Sequence, residues 1–157
     1  MFLTQHGPSN TRDIKLEKRK FKVRFCCRGD HQVQGVDYFD TFTPVVSWAT
    51  VRILLILTVI LGWDTKQVDY TCAFLHASIK EDVYVSMPRG FEEEYNVLKL
   101  TRSLYGLRQS PRNFFVYLRE ILIKVEFTQS EVDPCLFVSE KVICFVYVDD
   151  TLFFSPK

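Results

Sequence analysis

The chain lacks a strong net charge, a long apolar run, a zinc-type cysteine or histidine pattern, and a leader-like start. Its formal charge is +1, so the total says nothing about partners. The longest uncharged apolar stretch follows Arg52 and stops at Trp63, too short to cross a bilayer, so no membrane partner is expected. No C-x-x-C pair occurs, and His6, His31 and His76 have no metal-binding spacing. Five cysteines is an odd number, and they read as reduced thiols of an intracellular protein. Met1 to His6 has no signal-peptide layout. No internal repeat is visible.

What is present is a folding sequence. A chain of 157 residues can bury one real core, and 47% hydrophobic with 15% aromatic content, 14 Phe among them, argues against disorder. Charge is uneven. Between Arg12 and Arg28 stand eight basic residues against Asp13 and Glu17. Between Lys99 and Arg112 stand Lys99, Arg102, Arg108 and Arg112 with no acid. Such segments can track a phosphate backbone, although a charge run is more often a solvated face.

Residues 1–18 are polar and weakly patterned, ahead of a domain over 19–157. From Lys20, Phe21, Val23 and Phe25 alternate with Lys22 and Arg24, a half-exposed strand with a basic outer face. Arg28-Gly29-Asp30 ends it; as an adhesion tripeptide it carries little weight. After a loop from Gly35 to Val46, Ser47 predicts an N-cap and Gly62 a C-terminal stop for a helix over Trp48–Leu61. That helix is apolar nearly all round, which predicts a central element covered on several sides. Short strands are expected at 63–70, 83–87 and 97–100, with a turn or short helix at 71–79. Ser110-Pro111 opens a second helix with Phe114, Phe115, Leu118, Ile121, Leu122 and Val125 on one face. A turn at Asp133-Pro134, a strand at 135–138 and a final hairpin follow. The order predicts an α+β domain, an antiparallel sheet with helices packed on one face.

The hairpin carries the chemistry. Tyr147-Val148-Asp149-Asp150 lies between Val142–Val146 and Leu152–Phe154, so its two carboxylates sit on a rigid tip. Asp is common in turns for local reasons. With a third carboxylate the tip becomes a hard-oxygen cage, and Asp69, at the end of an apolar strand, is the best candidate. Three clustered carboxylates repel each other unless cations are bound.

Six strings then add up: Gly35-Val36-Asp37-Tyr38, Thr41-Phe42-Thr43-Pro44-Val45, Asp69-Tyr70-Thr71-Cys72-Ala73-Phe74-Leu75-His76, Asp82 to Pro88, Ser103 to Arg112, and Tyr147 to Asp150. In this order and spacing they resemble copia-type LTR-retrotransposon reverse transcriptases, from about Phe21 onward. The resemblance implies a palm-type sheet with a small partial fingers region, truncated, without thumb or RNase H. It implies RNA-directed DNA polymerase activity on a primer paired with an RNA or DNA template. Asp69, Asp149 and Asp150 would be the catalytic residues and the ligands of two Mg²⁺ ions, with Mn²⁺ as a substitute. Cys72, Ala73, Phe74, Tyr105 and Gly106 would contact the dNTP, Phe74 as the ring that excludes a 2′-hydroxyl. Lys22, Arg24, Arg28, Arg108 and Arg112 would contact phosphates. The remaining partners would be the integrase and RNase H of a polyprotein, in a cytoplasmic virus-like particle. A chain without a thumb is expected to show weak or no activity alone, and a catalytically inert remnant that still binds nucleic acid is the alternative. Two departures from the family pattern stand out. Ala77-Ser78 replaces a Gly-containing pair, which predicts a strained turn at Ala77. Tyr70-Thr71 replaces a pair that includes a lysine.

Overall fold

The computed structural model describes residues 2–3, 24–88, 90–91 and 96–157. Its elements are β1 (Phe2–Leu3), β2 (Phe25–Cys26), a 3₁₀ turn (Gly29–His31), α1 (Trp48–Leu61), β3 (Asp64–Asp69) and α2 (Ala73–His76). After these come β4 (Tyr84–Ser86), β5 (Val97–Lys99), α3 (Ser110–Lys124), β6 (Thr128–Gln129), β7 (Leu136–Val138), β8 (Ile143–Tyr147) and β9 (Asp150–Ser155). The molecule is mixed α and β around one five-stranded antiparallel sheet, ordered β3-β9-β8-β7-β6. Two small two-stranded pairs, β1-β2 and β4-β5, stand apart from it.

α1 has the expected bounds for the expected reasons. The Ser47 hydroxyl accepts from Thr50 N–H at 3.1 Å, and Gly62 closes the helix with φ 63°. α3 begins one residue earlier than the Ser-Pro signal implied. Gln109 stands at the cap position, while Ser110 turns its hydroxyl onto the Leu104 carbonyl at 2.6 Å. Phe114, Phe115, Leu118 and Leu122 of α3 share one core with Ala73 and Phe74 of α2, Leu54 of α1, and Phe137, Cys144, Phe145, Val146 and Phe154 of the sheet.

Two expectations change, and a third falls mostly outside the described residues. Among the described residues α1 is not covered on several sides: Leu54 is its only buried residue, while Ile53, Ile56, Val59 and Ile60 are exposed. Uniform apolarity shows that a helix wants cover; it does not show that the described residues supply it. Ala77 is unstrained, with φ −87° and ψ 133°, an ordinary extended conformation. The positive φ in that segment belongs to Cys72 instead, at 55°. Of the basic strand expected from Lys20, only its end is described, as β2; Lys22 lies outside the described residues, as does almost all of the 1–18 segment.

A second, smaller cluster fixes the front of the molecule. Val83, Leu104 and Leu107 pack with Phe25, Cys27, Ile79 and Leu100. Here the chain at 25–29 lies directly on 104–107. Cys27 N–H donates to the Tyr105 carbonyl at 2.7 Å. A Cβ at Gly106 would stand 2.1 Å from the Cys27 carbonyl oxygen, and one at Gly29 would be equally close to that of Gly106. Two glycines let two backbones touch.

Candidate active site

Register builds the site. β3 pairs with β9 over six rungs, from Asp64 opposite Ser155 to Asp69 opposite Asp150. Residues directly opposite in an antiparallel ladder share a face, so Asp69 and Asp150 lie side by side on one side of the sheet. β8 and β9 are joined by only Val148 and Asp149, since Tyr147 pairs with Asp150. A two-residue connection needs a positive φ in its first position, and Val148 supplies it at 55°. Beyond the last β3 rung, Tyr70 N–H donates to the Asp149 carbonyl at 3.4 Å, tying the end of β3 to the tip. Eighty residues of chain are thus closed by pairing alone.

Asp69 and Asp149 line one cavity of about 460 Å³ with Arg24, Phe25, Tyr70, Thr71, Cys72, Leu75, Leu104 and Tyr105. The Arg24 guanidinium lies 5.6 Å from the centre of the Tyr105 ring. The Tyr105 phenol is pushed up, first by burial and then by the negative charge of Asp149, with Arg24 opposing and Asp69 adding a little. The carboxylates and Arg24 therefore act on the same space. Two carboxylates lining one cavity suit a hard divalent cation. Among the described residues, no group of three or more Asp, Glu, His or Cys side chains converges as a ligand set. Asp150 stands aside, its carboxylate accepting from Gln67 Nε2 at 3.2 Å.

The remaining candidates divide. Cys72 is exposed on the cavity wall, and Ala73 is fully buried behind it. Phe74 is 8% exposed and lies beneath Tyr105, ring centres 4.6 Å apart, and against Phe114 at 6.1 Å, so it backs the cavity without lining it. Gly106 is a packing position. Arg28 belongs to a neighbouring cavity of about 410 Å³ with His31, Gln32, Asp37, Tyr84 and Ser86, and its Nε donates to Asp30 at 2.7 Å. That pairing holds the Asp30 carboxyl down at about 2. Arg108 donates to the Gly29 carbonyl at 2.8 Å and lies 5.6 Å from the Tyr38 ring centre. Arg112 reaches the Phe42 carbonyl at 3.2 Å and Asp40 at 3.3 Å. The two α3-side arginines thus fasten the 29–42 loop within the chain.

Sequence reasoning passed over three residues that line the cavity or hold its frame. Gln109 is buried; it donates to the Asp37 carbonyl at 2.9 Å and accepts from Gln32 at 3.0 Å. Leu75 lines the cavity. Asp133, read as a turn residue, accepts from Ser47 N–H at 2.9 Å, Thr50 Oγ1 at 2.6 Å and Cys135 N–H at 3.0 Å.

Residues 9–157 match the family model described as reverse transcriptase (RNA-dependent DNA polymerase). The chain is 39% identical over 140 residues to the retrovirus-related Pol polyprotein from transposon RE1 of Arabidopsis thaliana, covering 85% of this chain and 10% of that one. It is 34% identical over 148 residues to that from transposon TNT 1-94 of Nicotiana tabacum, covering 89% and 11%. It is 33% identical over 141 residues to the transposon Ty1-ER2 Gag-Pol polyprotein of Saccharomyces cerevisiae, covering 85% and 8%. The chain spans about a tenth of the length of these curated relatives. No solved structure matches it.

Proposed function

Because this chain belongs to the reverse transcriptase (RNA-dependent DNA polymerase) family, as a copia-type Pol polyprotein fragment, we propose that it is the palm, with part of the fingers, of an RNA-directed DNA polymerase. The observation that carries the reading is that Asp69 and Asp149 line one cavity together with Arg24. Asp69 and Asp149 would hold the cations, and Asp150, which accepts from Gln67 Nε2, would be the third carboxylate of the set. Two Mg²⁺ ions, or Mn²⁺ in their place, would there lower the pKa of the primer 3′-hydroxyl and neutralise the triphosphate.

The chain's own residues do the rest. Arg24 meets phosphate charge, with Lys22 a second candidate. The backbone at Cys72, bent into the left-handed region, turns toward the triphosphate with Ala73 behind it. Phe74 sets the height of Tyr105, so sugar discrimination acts through that tilted ring pair. Primer-template, dNTPs and the rest of a Pol polyprotein are its partners, inside a cytoplasmic virus-like particle. Affinity for primer-template comes mainly from phosphate contacts spread along the duplex, so one tenth of a Pol chain turns over weakly.

The test is Asp149→Asn. Mg²⁺-dependent incorporation of dNTPs on a primed template should fall by about 100-fold or more, with an unchanged circular dichroism spectrum and melting temperature. Undiminished incorporation would refute the role. The Asp150–Gln67 hydrogen bond favours one second reading, a remnant that binds nucleic acid without turnover. Primer-template binding with no incorporation in either Mg²⁺ or Mn²⁺ would select it.

A further inference from the structure

Cys72 keeps a backbone conformation that its own side chain does nothing to secure. Its φ is 55° and its ψ 42°, in the left-handed region, and its thiol makes no capping hydrogen bond to the helix it precedes. An L-residue persists there only when its surroundings over-determine it. α2 has four residues, too few to impose a shape on the turn before it. Two bonds bracket the position instead. Leu75 N–H donates to the Cys72 carbonyl at 2.9 Å. The His76 side chain reaches back and donates from Nε2 to the Thr71 carbonyl at 3.2 Å. A carbonyl can only accept, so Nε2 carries the proton.

His76 is itself anchored on both sides. Its ring lies nearly parallel to that of Tyr117 on α3, 11° between planes and 6.3 Å between centres. Tyr117 in turn packs against the main core. The His76 carbonyl accepts from Arg102 Nη1 at 3.0 Å, and the same nitrogen donates to Ser78 Oγ at 3.3 Å. Next along, Ser103 N–H donates to the Ala77 carbonyl at 2.9 Å. Thr71, Cys72 and Leu75 line the cavity that Asp69 and Asp149 share, and His76 is not among its lining residues. It stands behind the turn, with one end on that turn and the other on fixed structure.

We propose that His76 is a positioning residue for the nucleotide site: its Nε2 proton, more than its ring packing, sets the shape of the Thr71–Cys72 turn that faces the cavity. It touches no substrate and acts through the Thr71 carbonyl. With that bond gone, Cys72 relaxes out of the left-handed region and the turn no longer presents one fixed surface to a nucleotide. The inference rests on reading the cavity as a nucleotide site.

The experiment separates the donor from the packing. His76→Phe keeps a flat ring against Tyr117 and loses the donor. His76→Gln places an amide nitrogen the same number of bonds from Cα and loses the ring. Amide hydrogen exchange of the peptide covering residues 70–78 is read by mass spectrometry in the full 157-residue chain. Binding of dTTP with Mn²⁺ is titrated by calorimetry, and melting curves check that each variant folds. His76→Phe should speed the exchange and weaken dTTP by about three- to tenfold, the worth of one hydrogen bond. His76→Gln should restore wild-type values of both. Packing alone would reverse the order, with Phe matching wild type and Gln failing, and would overturn the proposal. So would equal behaviour of the two variants, or faster exchange in His76→Phe with dTTP affinity unchanged. If the wild-type chain leaves dTTP unbound, the nucleotide reading falls and the proposal with it. Unchanged exchange in His76→Phe, with dTTP bound by wild type, overturns the proposal alone.

Discussion

Cys72 is the one exposed thiol among five free cysteines, and it stands on the cavity wall beside Asp69 and Asp149. Burial pushes Cys135 and Cys144 up to about 12 and Cys27 to about 11, where thiolate is scarce at ordinary pH. Iodoacetamide at pH 8 should therefore label Cys72 first and leave Cys135 and Cys144 unmodified in the folded chain, as read by peptide mass spectrometry. Equal labelling of all five would contradict the burial. Val148 makes a different prediction. A β-branched residue at φ 55° is strained. Val148→Gly should stabilise the fold by about 1 kcal/mol, raising the melting temperature by about 2–4 °C. Phe74→Val should do two things at once. Removing most of a buried ring should cost about 2–4 kcal/mol, and loosening Tyr105 should admit ribonucleotides. Unchanged sugar discrimination in single-nucleotide incorporation would separate Phe74 from that task.

At the scale of elements, Asp133 fastens the start of α1 to the sheet. Burial alone would raise its carboxyl, but hydrogen bonds from Thr50, Ser47 and Cys135 outweigh that and hold it below the usual range. A lowered folded-state pKa gives stability that is present above the unfolded value, about 3.9, and lost as pH falls through the folded one. Asp133→Asn should melt earlier than wild type at pH 7, by about 2–4 kcal/mol for charged acceptor bonds lost. Its melting temperature should also fall less between pH 5 and pH 3; parallel acid limbs would contradict the linkage.

The same clamp shows what the sequence does and does not reveal. The ends of α1 were legible because Ser47 and Gly62 act on their immediate neighbours. β8 and β9 were legible from their β-branched and aromatic composition, whereas β3, Asp-Thr-Lys-Gln-Val-Asp, shows only two β-branched residues between Trp63 and Tyr70. Asp133 was not, because its partners lie over eighty residues away at Ser47 and Thr50. β6 was missed because Thr128-Gln129 is short and polar, a strand only by virtue of β7 beside it. Arg108 and Arg112 were read outward, as phosphate contacts, because charge alone does not show that a loop carbonyl lies closer than solvent. The pairing of residue 69 with the tip was anticipated from motif order, which local chemistry cannot supply.

Over the whole molecule, the cavity lined by Asp69 and Asp149 and the exposed face of α1 are joined by β3, which begins three residues after the helix stops. Its ladder with β9 has consequences for how this chain tolerates change. Side chains along a strand alternate, so a ladder has no half-settings. Deleting one residue between Gly62 and Gln67 would let the strand slide along its partner and keep most of its hydrogen bonds, yet send the carboxylate at its end to the far side. Such a variant should melt much like its parent and be blind to nucleotide. Substitutions at the same positions, most of them solvent-facing, should pass almost unnoticed. Length, more than identity, is what this short stretch must preserve.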